Sequence, residues 1–258
     1  MLQDVTPPTI TLTDIPYDVD AGIGTRANIG LLVLQTDQTI EDEFRHILPE
    51  GVALYHSRLE SPTEIEPAKL RLMEHEIPGA ARLLPNIGFG AVGFGCTSGA
   101  LVIGEPQVAA KVHDVLPEAQ VTDPVTAAIA AFQALKANRI ALLTPYLPEI
   151  AASLGEQFEA RGLNIPVNGT FNQPDDYVVA KITPDAIKSA ILELGRSDQV
   201  DAVFVSCTSM RVARIVTEIE AELGKPVTSS NHAMAWHMLR LAGVTDSMPQ
   251  HGRLFEQG

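Results

Sequence analysis

The chain of 258 residues has only two cysteines, 18 basic residues against 32 acidic ones, and no apolar run of membrane-spanning length. Each shortage excludes something. Neither cysteine lies in a Cys-x-x-Cys pair, and no His-Glu-x-x-His or clustered Cys/His spacing marks a zinc site, so no metal or other cofactor is expected. In a cytoplasmic chain two such cysteines read as free thiols. The deficit of basic residues leaves a formal charge of −14. That charge repels nucleic acid and anionic membrane surfaces, and neither is expected as a partner. A spanning helix needs roughly 18 consecutive apolar residues, and none is present. The opening MLQDVTPPTITLTDIPYDVD puts acids and prolines where a signal peptide has a basic patch and an apolar stretch. The expected localisation is therefore the cytoplasm.

What is present is ample apolar material, 45% of residues, enough for a sizeable core; at this length two lobes are expected. Residues 1–27 lack a period and read as a flexible arm. From Asn28 short apolar runs alternate with helical patterns. Strands are expected at 28–35, 52–58, 90–95, 120–124, 139–145, 164–171, 201–206 and 226–230. Helices are expected at 40–48, 67–84, 105–116, 125–137, 148–162, 184–196, 210–224 and 232–243. This alternation implies βαβ units and parallel sheets, an α/β class. It also repeats. Cys96 and Cys207 are 111 residues apart (207 minus 96), as are the strand starts Asn28 and Arg139, and both thiols open the tripeptide Cys-Thr-Ser. A tripeptide recurring in phase with the strand pattern indicates two homologous lobes. They are two pseudo-symmetric Rossmann-like units, 28–122 plus 228–258 and 123–227, with the site between them.

Ligands of open parallel sheets collect beyond the carboxyl ends of the strands. Both thiols stand there, in GAVGFG-Cys96-TSGALV and DAVFVS-Cys207-TSMRVA. Thr97, Ser98, Thr208 and Ser209 supply hydroxyls and backbone N–H groups at a helix start. Such a start lowers a thiol's pKa and holds a carboxylate. Two thiols on opposite walls suit inversion of a carbon next to a carboxylate, which needs a base on one face and an acid on the other. They equally suit addition of a thiolate to an activated alkene while the partner delivers the proton. The plainer reading makes both cysteines core residues.

These residues resemble a known group. GFGCTSGALV, VFVSCTSMRVA, TPYLPE (144–149) and IGLLVLQTDQTIEDEF (29–44) are similar to the aspartate/glutamate racemase superfamily. Within it they resemble the branch of maleate cis-trans isomerase and arylmalonate decarboxylase. The pattern also looks like the racemase-like protein encoded with ectoine-utilisation enzymes. The resemblance spans about residues 28–245. It implies Cys96 as nucleophile or first base, Cys207 as opposing proton donor, and Tyr146 as a hydrogen-bonding group for substrate. The decarboxylase branch keeps only the second cysteine, so two thiols favour isomerisation or racemisation over decarboxylation.

Two departures bear on substrate. Where maleate isomerases have a carboxylate-binding Asn, the stretch here reads Gln35-Thr36-Asp37-Gln38-Thr39. A second family Asn matches Asp176 in Pro174-Asp175-Asp176-Tyr177. Amides donate to a carboxylate, whereas ionised acids only accept and favour an ammonium instead. The expected activity is a cofactor-independent two-cysteine isomerase or racemase of a small amino acid or amino-acid-like carboxylate, working as a homo-oligomer, dimer or tetramer. The alternatives are maleate cis-trans isomerisation, an arylmalonate-type decarboxylation, or a non-catalytic two-lobed binder. Asp37 can also serve simply as a helix cap. The glycines Gly93, Gly95 and Gly99 follow the third strand with the wrong spacing for a dinucleotide loop, and read as room for substrate against the backbone. His232, at a strand end, is a further candidate near the cleft.

Overall fold

The computed structural model describes residues 12–62 and 67–258. The expected arm at 1–27 lies partly outside the described residues; residues 12–26 form no helix or strand and are almost all exposed. The first half then runs β1 (Ala27–Leu34), α1 (Ile40–Ile47), β2 (Val52–Leu59), α2 (Pro67–Leu72), α3 (Ile77–Arg82), β3 (Ala91–Gly95), α4 (Thr97–Ile103), α5 (Glu105–His113) and β4 (Gln120–Thr122). The second runs α6 (Pro124–Leu135), β5 (Arg139–Thr144), α7 (Pro148–Glu159), β6 (Asn164–Thr170), α8 (Asp176–Val179), α9 (Pro184–Gly195), β7 (Ala202–Val205), α10 (Val216–Leu223), β8 (Val227–Ser229) and α11 (Ser230–Leu241).

Two four-stranded sheets result, ordered β2-β1-β3-β4 and β6-β5-β7-β8, and every pair is parallel. The α/β class with two parallel sheets is as the sequence implied. The repeat extends to register. Ile29 pairs with Ala91 and, 111 residues on, Ile140 pairs with Ala202. In β1 both faces are covered from Ile29 onward, which is why Ile29 to Leu34 is an unbroken apolar run. Ile29, Leu31 and Val33 pack with Phe44 of α1, Ala127 and Ala131 of α6, and Met234 and Leu239 of α11. Leu32 and Leu34 face the other core, with Met73, Ile77 and Ala80. The closing helix α11 rests on α6, α1 and β3.

Two expected helices are shorter than their patterns. The segment 67–84 breaks into α2, a 3₁₀ turn at Met73–His75, and α3, because Pro78 has no N–H to continue the ladder. The segment 210–224 is helical only from Val216. The cause lies in the site.

Candidate functional site

In a sheet ordered 2-1-3-4 the chain leaves β1 and β3 in opposite directions, opening a crevice between their carboxyl ends. Thr36 and Asp37 follow β1, and Cys96 follows β3. In the second sheet Tyr146 follows β5, and Cys207 comes just after β7. The two crevices meet. Leu34, Thr36, Pro62, Leu70, Cys96, Thr97, Ser98, Tyr146, Asp176, Cys207, Thr208 and Ser209 wall one cavity of about 30 Å³. That holds a water or two, and a small acid enters only if the walls part. Of the expected site residues, only Asp37 stands behind the wall.

Cys96 is the N-cap of α4, with ordinary extended backbone (φ −149°) and its sulfur 3.2 Å from the Gly99 amide, which donates to it. The Ser98 hydroxyl lies 3.7 Å from the same sulfur. Those donors lower its pKa, but burial outweighs them, and the thiol is pushed up to about 12, with Asp176 and Asp37 adding to the rise. The depressed thiol expected at a helix start is thus reversed in the enclosed cavity, because a desolvated thiolate costs more than one amide and one hydroxyl return.

Cys207 differs. Its φ is +154°, a conformation L-residues rarely adopt, and no helix starts after it. Its amide donates to Ser230 Oγ at 3.0 Å, and that hydroxyl also meets Thr97 Oγ1 at 2.8 Å, tying the two tripeptides together. The following backbone groups are taken by side chains from elsewhere. Asn231 Nδ2 donates to the Thr208 carbonyl at 2.7 Å, Thr39 Oγ1 to the Ser209 carbonyl at 3.2 Å, and Glu43 Oε1 accepts the Val212 and Ala213 amides at 2.9 and 2.8 Å. With their backbone groups so engaged, residues 208–213 stay out of helix. The helix-start reading of Thr208 and Ser209 is corrected on this ground. Burial, foremost, and Asp176 raise the Cys207 thiol further still, while the Tyr146 hydroxyl and the Ser209 amide donate to it.

Tyr146 is buried in the wall, and its hydroxyl is raised well above the usual range by burial and by the neighbouring thiols. Asp176 opens α8 and is buried rather than a surface turn residue; its Oδ1 accepts from Ser209 Oγ at 2.7 Å. Asp37 caps α1, its Oδ1 accepting the Thr39 and Ile40 amides at 2.7 and 2.9 Å. Among the described residues no group hydrogen-bonds its buried Oδ2. Burial raises this carboxyl to about 6, eased by the two amides and the nearby Thr208 side chain and raised again by Asp176. Of the described residues lining the cavity, none is Lys, Arg or His.

His232 is not in the cavity. It is fully buried, bonded through Nδ1 to Thr228 Oγ1 and through Nε2 to the His251 carbonyl, and burial lowers it to about 4, so it stays neutral. The glycines of GFGCTSG make room for the protein rather than for a ligand. A Cβ at Gly93 meets Met238 at 2.7 Å, and one at Gly99 meets Met73 at 2.6 Å and the Cys96 sulfur at 2.9 Å. The sequence reading missed Thr36, Leu34, Pro62 and Leu70 in the wall. Thr36 alone had a signal, since it adjoins Asp37 in the loop after β1.

The arylmalonate decarboxylase family model matches residues 30–255. A maleate isomerase from Nocardia farcinica is 27% identical over 241 residues, covering 89% of this chain and 95% of that protein. Among solved structures, a maleate isomerase from Pseudomonas putida with maleate superposes with TM-score 0.82 at 22% identity, covering 90% of this chain and 98% of that one. A Nocardia farcinica maleate cis-trans isomerase mutant with a covalently bound succinylcysteine intermediate gives 0.81 at 24%, covering 90% and 99%. These relatives bear out the resemblance and the isomerase class read from the sequence. On the strength of a model matched from the first strand almost to the C-terminus, the chain belongs to the arylmalonate decarboxylase family.

Proposed function

We propose that this protein is a cofactor-independent two-thiol isomerase that converts a small cis-enedioate of the maleate type to its trans isomer. The observation carrying this reading is that Cys96 and Cys207, one from each sheet, wall a single buried cavity. Cys96 first loses its thiol proton to water as substrate enters; its sulfur then adds to one alkene carbon, and the electron pair moves onto the carboxylate attached to the neighbouring carbon. Cys207 then gives its proton to that neighbouring carbon, leaving a saturated thioether. The former double bond is now free to rotate. Cys207 takes the proton back, the Cys96–carbon bond breaks, and the trans alkene leaves. The Gly99 amide and Ser98 hydroxyl steady the Cys96 thiolate, and Tyr146 steadies the Cys207 sulfur. The succinylcysteine of the Nocardia relative is the adduct such a route forms.

A second reading, racemisation of a small amino acid or amino-acid-like acid by the same pair, is favoured by one feature: the Asp176 carboxylate lines the cavity with Asp37 behind it, and among the described residues no lining cation answers a dianion. There one thiolate removes the proton from the carbon next to the carboxylate, and the opposite thiol delivers another. Incubation in deuterated water with maleate and with amino acids, followed by proton NMR, separates the two. Fumarate from maleate is the expected result. Deuterium at Cα without fumarate selects the second reading, and neither signal with any acid overturns both.

A further inference from the structure

The residues that hold the second thiol's loop come largely from one short helix of the other sheet. On α1, Thr39 Oγ1 (at the cap) donates to the Ser209 carbonyl, Glu43 accepts two successive amides, and Asp42 pairs with Arg214 at 3.3 Å. Glu43 is the inner member. It is only 3% exposed, an acid set between α1, α11 and the Cys207 loop, and both its oxygens are engaged, Oε2 with Asn231 Nδ2 at 3.4 Å. Asn231 in turn holds the Thr208 carbonyl. No helix supplies these functions locally, because α10 starts only at Val216.

We infer that Glu43 is a positioning residue for Cys207: its carboxylate collects the Val212 and Ala213 amides and, through Asn231, the Thr208 carbonyl, and so fixes where the second sulfur meets the cavity across the boundary between the sheets. The inference builds on the proposed chemistry only in taking Cys207 as a reacting group. Leaving a buried acid here for packing alone would be costly, since an apolar side chain fills the same space without desolvation. What the acid supplies is two charge-assisted acceptor bonds at a backbone that has no helix to close it. Burial, the dominant cause, raises Glu43 to about 7, against the pull of the two amides and Asn231; Asp42 raises it further. The other groups around it are His46 on α1, Arg214 in the loop, and His232 and His251. His46 and Arg214 lie on the exposed side, and the His232 ring is turned to Thr228 and His251. Protonation of Glu43 as pH falls through about 7 relieves the cost of its buried charge and so favours the fold, but it turns the two acceptor bonds from charge-assisted to neutral and loosens the hold on the loop.

The test uses iodoacetamide on the full chain, with the two cysteines read separately by mass spectrometry, so that it does not depend on any substrate being turned over. Glu43→Ala is expected to change the Cys207 alkylation rate by about 10-fold or more while Cys96 stays within about 2-fold, as expected for losing two charge-assisted bonds at one site. Glu43→Gln keeps an acceptor but cannot ionise. It is expected to track the native protein well below pH 7 and to diverge from it well above, which a merely structural side chain does not do. If the alanine variant fails to fold, the pH comparison of native and glutamine forms stands alone. Equal shifts at both cysteines, no shift at either, or parallel pH profiles would overturn the inference. A Cys207-selective response in a protein that turns over no acid would leave the positioning role standing and sink the proposed reaction.

Discussion

The two thiol loops share the tripeptide Cys-Thr-Ser and the same seat after the third strand of each sheet, yet they are built differently. The Cys96 loop is shaped mainly from within, by extended backbone, a helix beginning at the next residue and that helix's own amide on the sulfur, with one outside tie from Thr97 to Ser230. The Cys207 loop is irregular, starts from a positive φ, and is held by α1, α11 and α8. Gene-level repetition thus fixes where the thiols sit, while each loop's conformation follows from which groups reach its amides and carbonyls first. A loop shaped mainly from within suits the nucleophile of the proposed reaction. A loop held from three other elements can shift as those elements move, and the cavity as it stands is too small for a four-carbon acid.

The comparison breaks most sharply if one thiol proves dispensable. Cys96→Ala and Cys207→Ala are each expected to lower kcat by about 10³-fold, within the range for loss of a positioned acid–base or nucleophilic group. Mass spectrometry sharpens it: Cys207→Ser should trap a substrate adduct on Cys96, and Cys96→Ser should trap none. An adduct on Cys207 would exchange the two roles. Next comes the carboxylate between the loops. Asp176→Asn should lower KM for maleate about tenfold, roughly one pKa unit's worth of interaction, and weaken any turnover of an aminated acid. An unchanged KM ratio would mean that Asp176 serves only Ser209.

Smaller effects lie in stability. At Cys207 the backbone suits glycine, so Cys207→Gly should be more stable to urea than Cys207→Ala by about 1 kcal/mol. At Cys96, with φ −149°, glycine gains nothing and should be the weaker of the two. If the two sites rank alike, the positive φ carries no strain. The gentlest test is the pH slope. Asp37 and Glu43 have folded pKa values raised to about 6 and about 7. Their contribution to stability is complete below the unfolded carboxyl range and is lost as pH rises through those values. Urea unfolding should therefore show stability falling between about pH 4 and pH 7, and Asp37→Asn should flatten the lower part of that fall. A native slope that rises across this window would mean that neither acid is held neutral.

The amino-acid sequence determined the parallel α/β plan, the doubled strand order and the seats of both cysteines. Apolar runs long enough for a strand and buried on both faces have one economical solution, and a repeat in phase with them carries its loops along. Tyr146 at the end of β5 was legible for the same reason. Tertiary structure alone decided the rest. The burial of Asp176 depends on how the two halves close on each other, and no local pattern encodes that, whereas the Asp37 cap, made to the amides two and three residues on, was legible beforehand. The missing helix after Cys207 depends on Glu43, Asn231 and Thr39, distant in sequence, taking backbone groups that a helix would otherwise use. The thiols' high pKa values likewise arise from enclosure, a property of the closed cavity and not of the tripeptide that places them there.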